Sequence, residues 1–240
     1  RRSCMKIRTI EDYARFLPQY YSDSIPETLK RYLDSRRYTT LLDAGCGDGS
    51  LLFALKRHGY FRNRQIYAID LSRSRIRLVE KIDSHIHASV DDAVSLNTIS
   101  RNSIDFYIST FVIEHVDDNT MIKTISRVTK KGSIIYISTI FKKWYGWYYY
   151  RRDGKWVMDV THLREYTQDW QLFRFIDKRV FRIIENRKNQ LYFPIVDFFV
   201  RRLFLKNRQL FIYNRLFAAL RKIKLPILGY YEWEIVLERI

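Results

Sequence analysis

The chain has 240 residues, of which 47% are hydrophobic and 29% charged, a balance that excludes an intrinsically disordered chain and allows one substantial core. Lys and Arg number 43 against 26 Asp and Glu, a formal charge of +17. That surplus suits polyanionic partners, and a heavily charged surface for solubility gives the same count. Cys4 and Cys46 are too few and too differently placed for a disulfide framework. The opening RRSCMKIRTIEDYARF lacks the apolar stretch of a signal peptide, and no apolar run reaches the roughly 18 residues of a membrane span. A cytoplasmic location is expected.

Residues 1–38 read as helical pieces punctuated by Pro18 and Pro26, with Pro26 suited to the first turn of a helix over ETLKRYLDSRRY. A regular alternation follows: strand 38–44, a glycine turn at 45–49, the helix SLLFALKRH, strand 64–70, and a helix for which Ser72 is a cap. Strands at 85–90 and 103–110, the helix NTMIKTISRVTK and a strand at 132–139 continue it. Short apolar strands alternating with helices predict a parallel sheet covered on both faces, and right-handed crossovers narrow the topology to a doubly wound α/β fold. Beyond Thr139 comes the aromatic and basic run FKKWYGWYYYRRDGKW, too irregular for a core strand. A helix from about Thr167, a strand around 179–186, an apolar and basic helical stretch over 191–224 and a closing strand over 229–240 complete the chain. In that last strand Tyr231, Trp233, Ile235 and Leu237 share one face. His58, His85 and His87 fall on predicted core elements and read as structural.

The chemistry concentrates in Leu41-Leu42-Asp43-Ala44-Gly45-Cys46-Gly47-Asp48-Gly49. A strand ends in an acid, and three glycines at alternate positions lead into a helix, allowing close approach of a ligand to the backbone. The dinucleotide fingerprint G-x-G-x-x-G would need glycine where Ser50 stands, and no Lys-Ser/Thr pair follows to bind a triphosphate. A carboxylate at Asp43 disfavours pyrophosphate and favours a ligand with an ammonium or sulfonium group.

DAGCGDG resembles the first motif of the class I S-adenosylmethionine-dependent methyltransferases, and the resemblance extends over most of the chain. Asp70, closing IYAID, is similar to the family's acid at the end of its second strand, which accepts hydrogen bonds from the ribose hydroxyls; Leu71 follows it. SVDDAVSL is similar to the adenine-holding region, with Asp92 and the Ala93 amide matched to that role and the adjacent Asp91 expected to be solvated. STFVIEHVDD, with Thr110 and Phe111, and DVTHLREYT resemble the small-molecule and lipid-type branch, which includes ubiquinone-pathway O-methyltransferases. The resemblance implies a Rossmann-like, mostly parallel seven-stranded sheet with its last strand antiparallel, and S-adenosylmethionine as cofactor. It implies cofactor contacts at Asp43, Gly45, Cys46, Gly47, Gly49, Asp70, Leu71, Asp92, Ala93, Thr110 and Phe111. The chain then divides, within one domain, into a helical lid (1–38), a cofactor half (39–139), a substrate half (140–190), a basic aromatic helical insertion (191–224) and the final strand (229–240).

Methyl transfer from a sulfonium is an in-line displacement that rests on orientation and desolvation, with a general base needed only where the acceptor holds a proton. Candidate bases are His162, His115 and Glu114. Some ubiquinone-pathway relatives add further acids to the Glu-His pair and bind a metal; Phe111 occupies the position three residues before Glu114, so no metal site is expected. Tyr13, Phe16, Tyr20 and Tyr21 lie where the family often carries a lid. From Phe198 to Lys224 eight basic residues interleave with aromatics, with no acid. Such a segment suits an anionic membrane surface, a cover over a lipid-like acceptor or a dimer contact. STFVIEHV lacks the Asp/Asn-Pro-Pro-aromatic segment with which amino-methylating enzymes grip a flipped base, which disfavours nucleic acid. The expected activity is methylation of a small-molecule or lipid-type acceptor, on oxygen; the alternatives are a nucleic-acid or protein acceptor, or a non-catalytic binding module.

Overall fold

Adjacent residues of a strand face opposite sides of a sheet, so a run such as Leu41-Leu42 is stable only where both sides are covered. In the computed structural model, which describes residues 9–148, 150–152, 154–202 and 207–240, every residue of the strand Thr40–Ala44 (β1) is buried. Preceding it are the helices Ile10–Phe16 (α1) and Glu27–Ser35 (α2). The alternation then runs Ser50–Arg57 (α3), Gln65–Asp70 (β2), Arg73–Val79 (α4), Ile86–Val90 (β3), Ile104–Thr110 (β4), a 3-10 turn at Ile113–His115, Asp118–Val128 (α5) and Thr129–Lys142 (β5). The remainder comprises the hairpin Tyr150–Arg152 (β6) and Lys155–Val157 (β7), the single turn Trp170–Phe173 (α6), Phe181–Pro194 (β8), Ile195–Arg202 (α7), Leu210–Tyr213 (α8), Arg215–Leu220 (α9) and Lys224–Arg239 (β9). The main sheet has seven strands in the order β3-β2-β1-β4-β5-β9-β8, parallel through β5, with β9 antiparallel to both neighbours.

Leu42, Tyr107, Ile135, Ile235 and Leu237 pack on one side with Met121, Ile122 and Ile125 of α5. Leu41, Phe106, Ile134, Tyr136 and Val236 pack on the other with Leu29 and Leu33 of α2, Leu52 and Leu55 of α3, and Ile76 and Val79 of α4. Ser72 caps α4 by accepting from the Arg75 amide, as its position predicts.

Four expectations are corrected. The closing strand begins at Lys224, not 229, and β8 runs on to Pro194, so residues 191–194 are strand, and the described helices of the insertion lie at 195–202, 210–213 and 215–220. Tyr192 pairs with Pro226 and Phe193 with Leu225, a cross-strand partnership that overrides their helical spacing. The irregular aromatic run contains the small β6–β7 hairpin. Finally, His58, His85 and His87 are exposed rather than core residues, with the His85 side chain at 94% of full exposure.

Glu234, 2% exposed on β9, joins three elements. Its carboxylate accepts from Thr28 Oγ1 of α2 (2.8 Å), Tyr136 Oη of β5 (2.6 Å) and Asn189 Nδ2 of β8 (2.5 Å). Glu234→Ala leaves three buried donors without this acceptor and should cost about 2–4 kcal/mol in urea unfolding, against about 1 kcal/mol for Tyr136→Phe. Equal losses from both variants would show that the carboxylate does not join the three elements.

Candidate active site at the carboxyl edge of the sheet

The parallel strands deliver their last residues to one edge. β1 brings Asp43 there, 1% exposed, and its Oδ1 is buried without a hydrogen bond. Burial, reinforced by the nearby Asp70 carboxylate, raises its pKa to about 7. The turn that follows is laced to β2, because the Gly45 and Cys46 amides both donate to Ile69 O at 2.9 Å. Gly45 and Gly47 adopt φ of +81° and +57°, in the left-handed region that favours glycine. Gly49 is the N-cap of α3, and Cys46 is a buried thiol whose pKa burial pushes up.

Asp70 accepts from the Gly47 amide (3.0 Å) and the Ser72 amide (2.8 Å), with Arg75 Nη1 at 3.8 Å. Leu71 and Val90, at the same edge, are 47% and 44% exposed and form an apolar shelf beside it. Asp92 is half-buried, its Oδ1 accepting from the Val94 amide at 2.8 Å, and Ala93 is buried. Asp91 is not solvated as expected: it accepts from the Asp92 and Thr98 amides and from Thr98 Oγ1, and holds the turn after β3. Thr110 ends β4. Phe111 is held in the left-handed region at φ +55° by donating its amide to Ser138 O, a strained conformation for a bulky residue.

Across this edge lies α1. Glu11 accepts from Ser72 Oγ (3.0 Å) and Ser74 Oγ (2.5 Å) of α4, and Tyr13 Oη donates to Asp159 at 3.1 Å. Asp48 organises the rest of the cover. Fully buried, it pairs with Arg75 Nε (3.2 Å) and Arg208 Nε (2.7 Å), and accepts from the Gln19 amide at 3.1 Å. Tyr21 donates its hydroxyl to Asp48 O and stacks on Phe53, while its amide donates to Arg208 O. The N-terminal segment and the insertion therefore meet on one glycine-loop carboxylate. Tyr20 packs against Phe211 in the same cover.

The 3-10 turn presents Glu114 and His115, and the 159–166 loop is pinned to it by Leu163 N donating to Glu114 O at 2.9 Å. Glu114 is fully buried; Oε2 accepts from Thr139 Oγ1, Oε1 has no hydrogen bond, and burial raises its pKa to about 7. Thr161 Oγ1 donates to Asp159, so it accepts from His115 Nδ1, leaving the lone pair of that ring on Nε2. Burial, with His162 adding to it, lowers the His115 pKa to about 4. His162, 6% exposed, lies edge-to-face against His115 with ring centroids 4.7 Å apart. Its Nδ1 meets Glu165 Oε1 at 3.2 Å. Burial opposes the charge on Glu165, but hydrogen bonds from His162 and the Met158 amide, and the Lys142 ammonium, hold it below the usual carboxylate range. A carboxylate there assigns the proton to Nδ1 and the lone pair to Nε2.

The three candidate bases thus converge, and their donor atoms all lie within 4.8 Å of one another, a spacing that one cation could draw together. The expectation of no metal rested on Phe111; the third donor comes instead from His162, a long way along the chain. Asp48, Arg75, Arg208 and Gln19 had no signal in the sequence beyond residue type. Glu165 had one, three residues after His162 in THLRE.

The family model of a methyltransferase domain matches residues 13–187, well over half of the chain. The mitochondrial ubiquinone biosynthesis O-methyltransferase of Saccharomyces cerevisiae is 26% identical over 201 residues, 76% of this chain. The chain spans 63% of the length of that relative. Among solved structures, the geranyl diphosphate C-methyltransferase of Streptomyces coelicolor, in complex with Mg2+, geranyl diphosphate and S-adenosylhomocysteine, aligns with a TM-score of 0.55 at 16% identity, covering 89% of this chain and 78% of that one. The YcgJ protein of Bacillus subtilis aligns at 0.56 and 14% identity, covering 88% and 96%. These likenesses establish a class I methyltransferase fold. The chain belongs to the methyltransferase-domain family. The glycine cradle, the Asp43 oxygen without a hydrogen bond and the apolar shelf by Asp70 fit a cationic nucleoside ligand.

The raised Asp43 pKa has a sign that can be checked. The folded, ligand-free chain holds a proton on Asp43 up to about pH 7, whereas the unfolded chain loses it near the ordinary aspartate value of 3.8. The ligand-free protein should therefore melt at higher temperature as pH falls from 8 to 6, with Glu114 and Glu232, both raised to about 7 by burial, acting in the same direction. An ammonium ligand needs Asp43 ionised, so S-adenosylhomocysteine should bind up to about tenfold more weakly per pH unit below 7. Calorimetry across pH should show this slope flattened in Asp43→Asn; an unchanged slope would remove Asp43 from ligand binding.

Proposed function

We propose that the chain transfers a methyl group from S-adenosylmethionine to an oxygen atom of a small, lipid-type acceptor, with His162 as general base. The observation that carries this reading is the Glu165–His162 pair: a buried carboxylate at Nδ1 fixes that tautomer and places the basic lone pair on Nε2. Sulfonium bound at the glycine cradle supplies an electrophile already activated by its charge. Nε2 of His162 takes the hydroxyl proton as the acceptor oxygen forms its new bond to carbon, and Glu165 stabilises the resulting imidazolium. Tyr13, beside Arg75 and His115, helps exclude water from that space. The 26% identity to an enzyme named for O-methylation in ubiquinone biosynthesis supports a lipid-type acceptor.

A second reading follows from the cluster itself. A cation on Glu114, His115 and His162 would polarise the acceptor oxygen in place of a base. Here the buried Glu114 Oε1 and the neutral His115 ring fit the donor set.

Calorimetry with S-adenosylhomocysteine should give binding that Asp70→Ala abolishes while circular dichroism stays unchanged. With lipid extracts as acceptors and labelled methyl donor, His162→Ala should lower kcat by about 10²–10⁴-fold without weakening S-adenosylhomocysteine, and Glu165→Gln by about 10–100-fold. Full activity in both variants would end the base reading. Activity lost to a chelator and restored by a divalent ion would favour the metal reading.

A further inference from the structure

The antiparallel β9 overruns the sheet. Its last pair with β5 is Tyr230–Lys142, so Lys224–Gly229 projects beyond the edge that carries the glycine loop, paired only with the end of β8. The aromatic loop after β5 packs on this overhang: Lys143 N donates to Gly229 O, and Gly146 sits against Gly229 so closely that neither has room for a side chain. Beyond the overhang the chain joins the insertion, where Ile195 N donates to Ile223 O.

The insertion has two sides. Its inner side is the buried set Val196, Val200 and Phe211, packed on Tyr20, with Arg208 held to Asp48 and Arg221 to Asp197. The outer residues are apolar and uncovered. Trp144 is 92% exposed, Leu228 67% and Leu216 66%, and Trp147, Ile223 and Leu225 are more than half exposed. Exposed apolar surface on this scale marks an interaction site. Lys143, Arg215, Lys222 and Lys224 stand exposed among these residues, and no acid occurs from Phe198 to Tyr231.

We propose that this overhang and the outer side of the insertion dock on an anionic lipid bilayer, seating the Trp144 loop, Leu225 and Leu228 at the headgroup boundary. The charge selects the occupant: a segment without acids in a chain of net charge +17 is complementary to anionic headgroups. The composition selects it further. Tryptophan with aliphatic residues and lysines is the chemistry of a membrane–water boundary, whereas a nucleic-acid face offers aromatic platforms in a groove rather than protruding leucines. Among the described residues no helix is long and apolar enough to cross a membrane, which fits docking on one. Because the overhang rises from the active-site edge, docking would bring that edge to the bilayer. The proposal rests on the lipid-type reading for its purpose, but has its own readout.

Flotation with vesicles of phosphatidylcholine and phosphatidylglycerol, beside vesicles of phosphatidylcholine alone, tests it on the full chain. Binding should require the anionic lipid and weaken with salt. It should fall about tenfold in Trp144→Ala/Leu225→Ser/Leu228→Ser, and about fivefold for each of Lys222→Gln and Lys224→Gln, with S-adenosylhomocysteine affinity unchanged as proof of folding. A wild-type chain that binds S-adenosylhomocysteine but does not float at low salt overturns the docking proposal and leaves the enzyme intact. Flotation without S-adenosylhomocysteine binding removes the enzyme reading instead. The docking proposal is also overturned if the triple variant floats unchanged. The same holds if that variant abolishes binding to an RNA oligomer while vesicles are ignored, or converts a dimer to a monomer in size-exclusion chromatography.

Discussion

Three carboxylates, Asp43, Asp48 and Asp70, are buried around one five-residue turn, and the way each charge is compensated determines most of what surrounds them. Asp70 spends its acceptors on the Gly47 and Ser72 amides, which shapes the loop and starts α4. Asp48 recruits two arginines from opposite ends of the chain. Asp43 receives neither, and burial holds it near a neutral carboxyl. A buried acid without a counter-charge is tolerated as the neutral carboxyl, and a cationic ligand beside it would favour the ionised form.

The central half of the fold was legible because its signal is local. Buried parallel strands read as short apolar runs, and Asp-x-Gly-x-Gly-x-Gly and Ser72 mark the turns between them. The carboxyl-terminal half was less legible because pairing there decides the conformation. Tyr192 and Phe193 have helical spacing, yet they are strand because Pro226 and Leu225 lie opposite. His87 lies on a genuine strand and His85 in the turn just before it, but β3 is the edge of the sheet, and edge position cannot be read from the strand itself.

The site divides in the same way. Asp43, Asp70 and Phe111 sit in motifs whose spacing is set by strand ends, so they come to one edge of the sheet. Glu165 is within sight of His162 in THLRE, but its role appears only when Lys142, Met158 and Tyr230 are seen to hold it. The partnership of Asp48 with Arg208 spans most of the chain, and a surface arginine and a clasping one are the same letter.

The cover over the site is polar where it meets the body, and that bears on turnover. His162 is nearly inaccessible, and Tyr13 of α1 packs against its neighbour His115, so lifting α1 would open a path toward that pair. The bonds to be broken are Glu11 to Ser72 and Ser74, and Tyr13 to Asp159. All of these are hydrogen bonds to carboxylates, and water replaces the partner on opening. The core beneath, by contrast, is held by apolar burial on both faces of the sheet. Opening therefore breaks polar contacts of the cover and leaves the sheet intact, as access to a buried site requires. The same rupture frees Asp159, which holds Thr161 and through it the His115 ring. Closing the cover and orienting the imidazoles are one event.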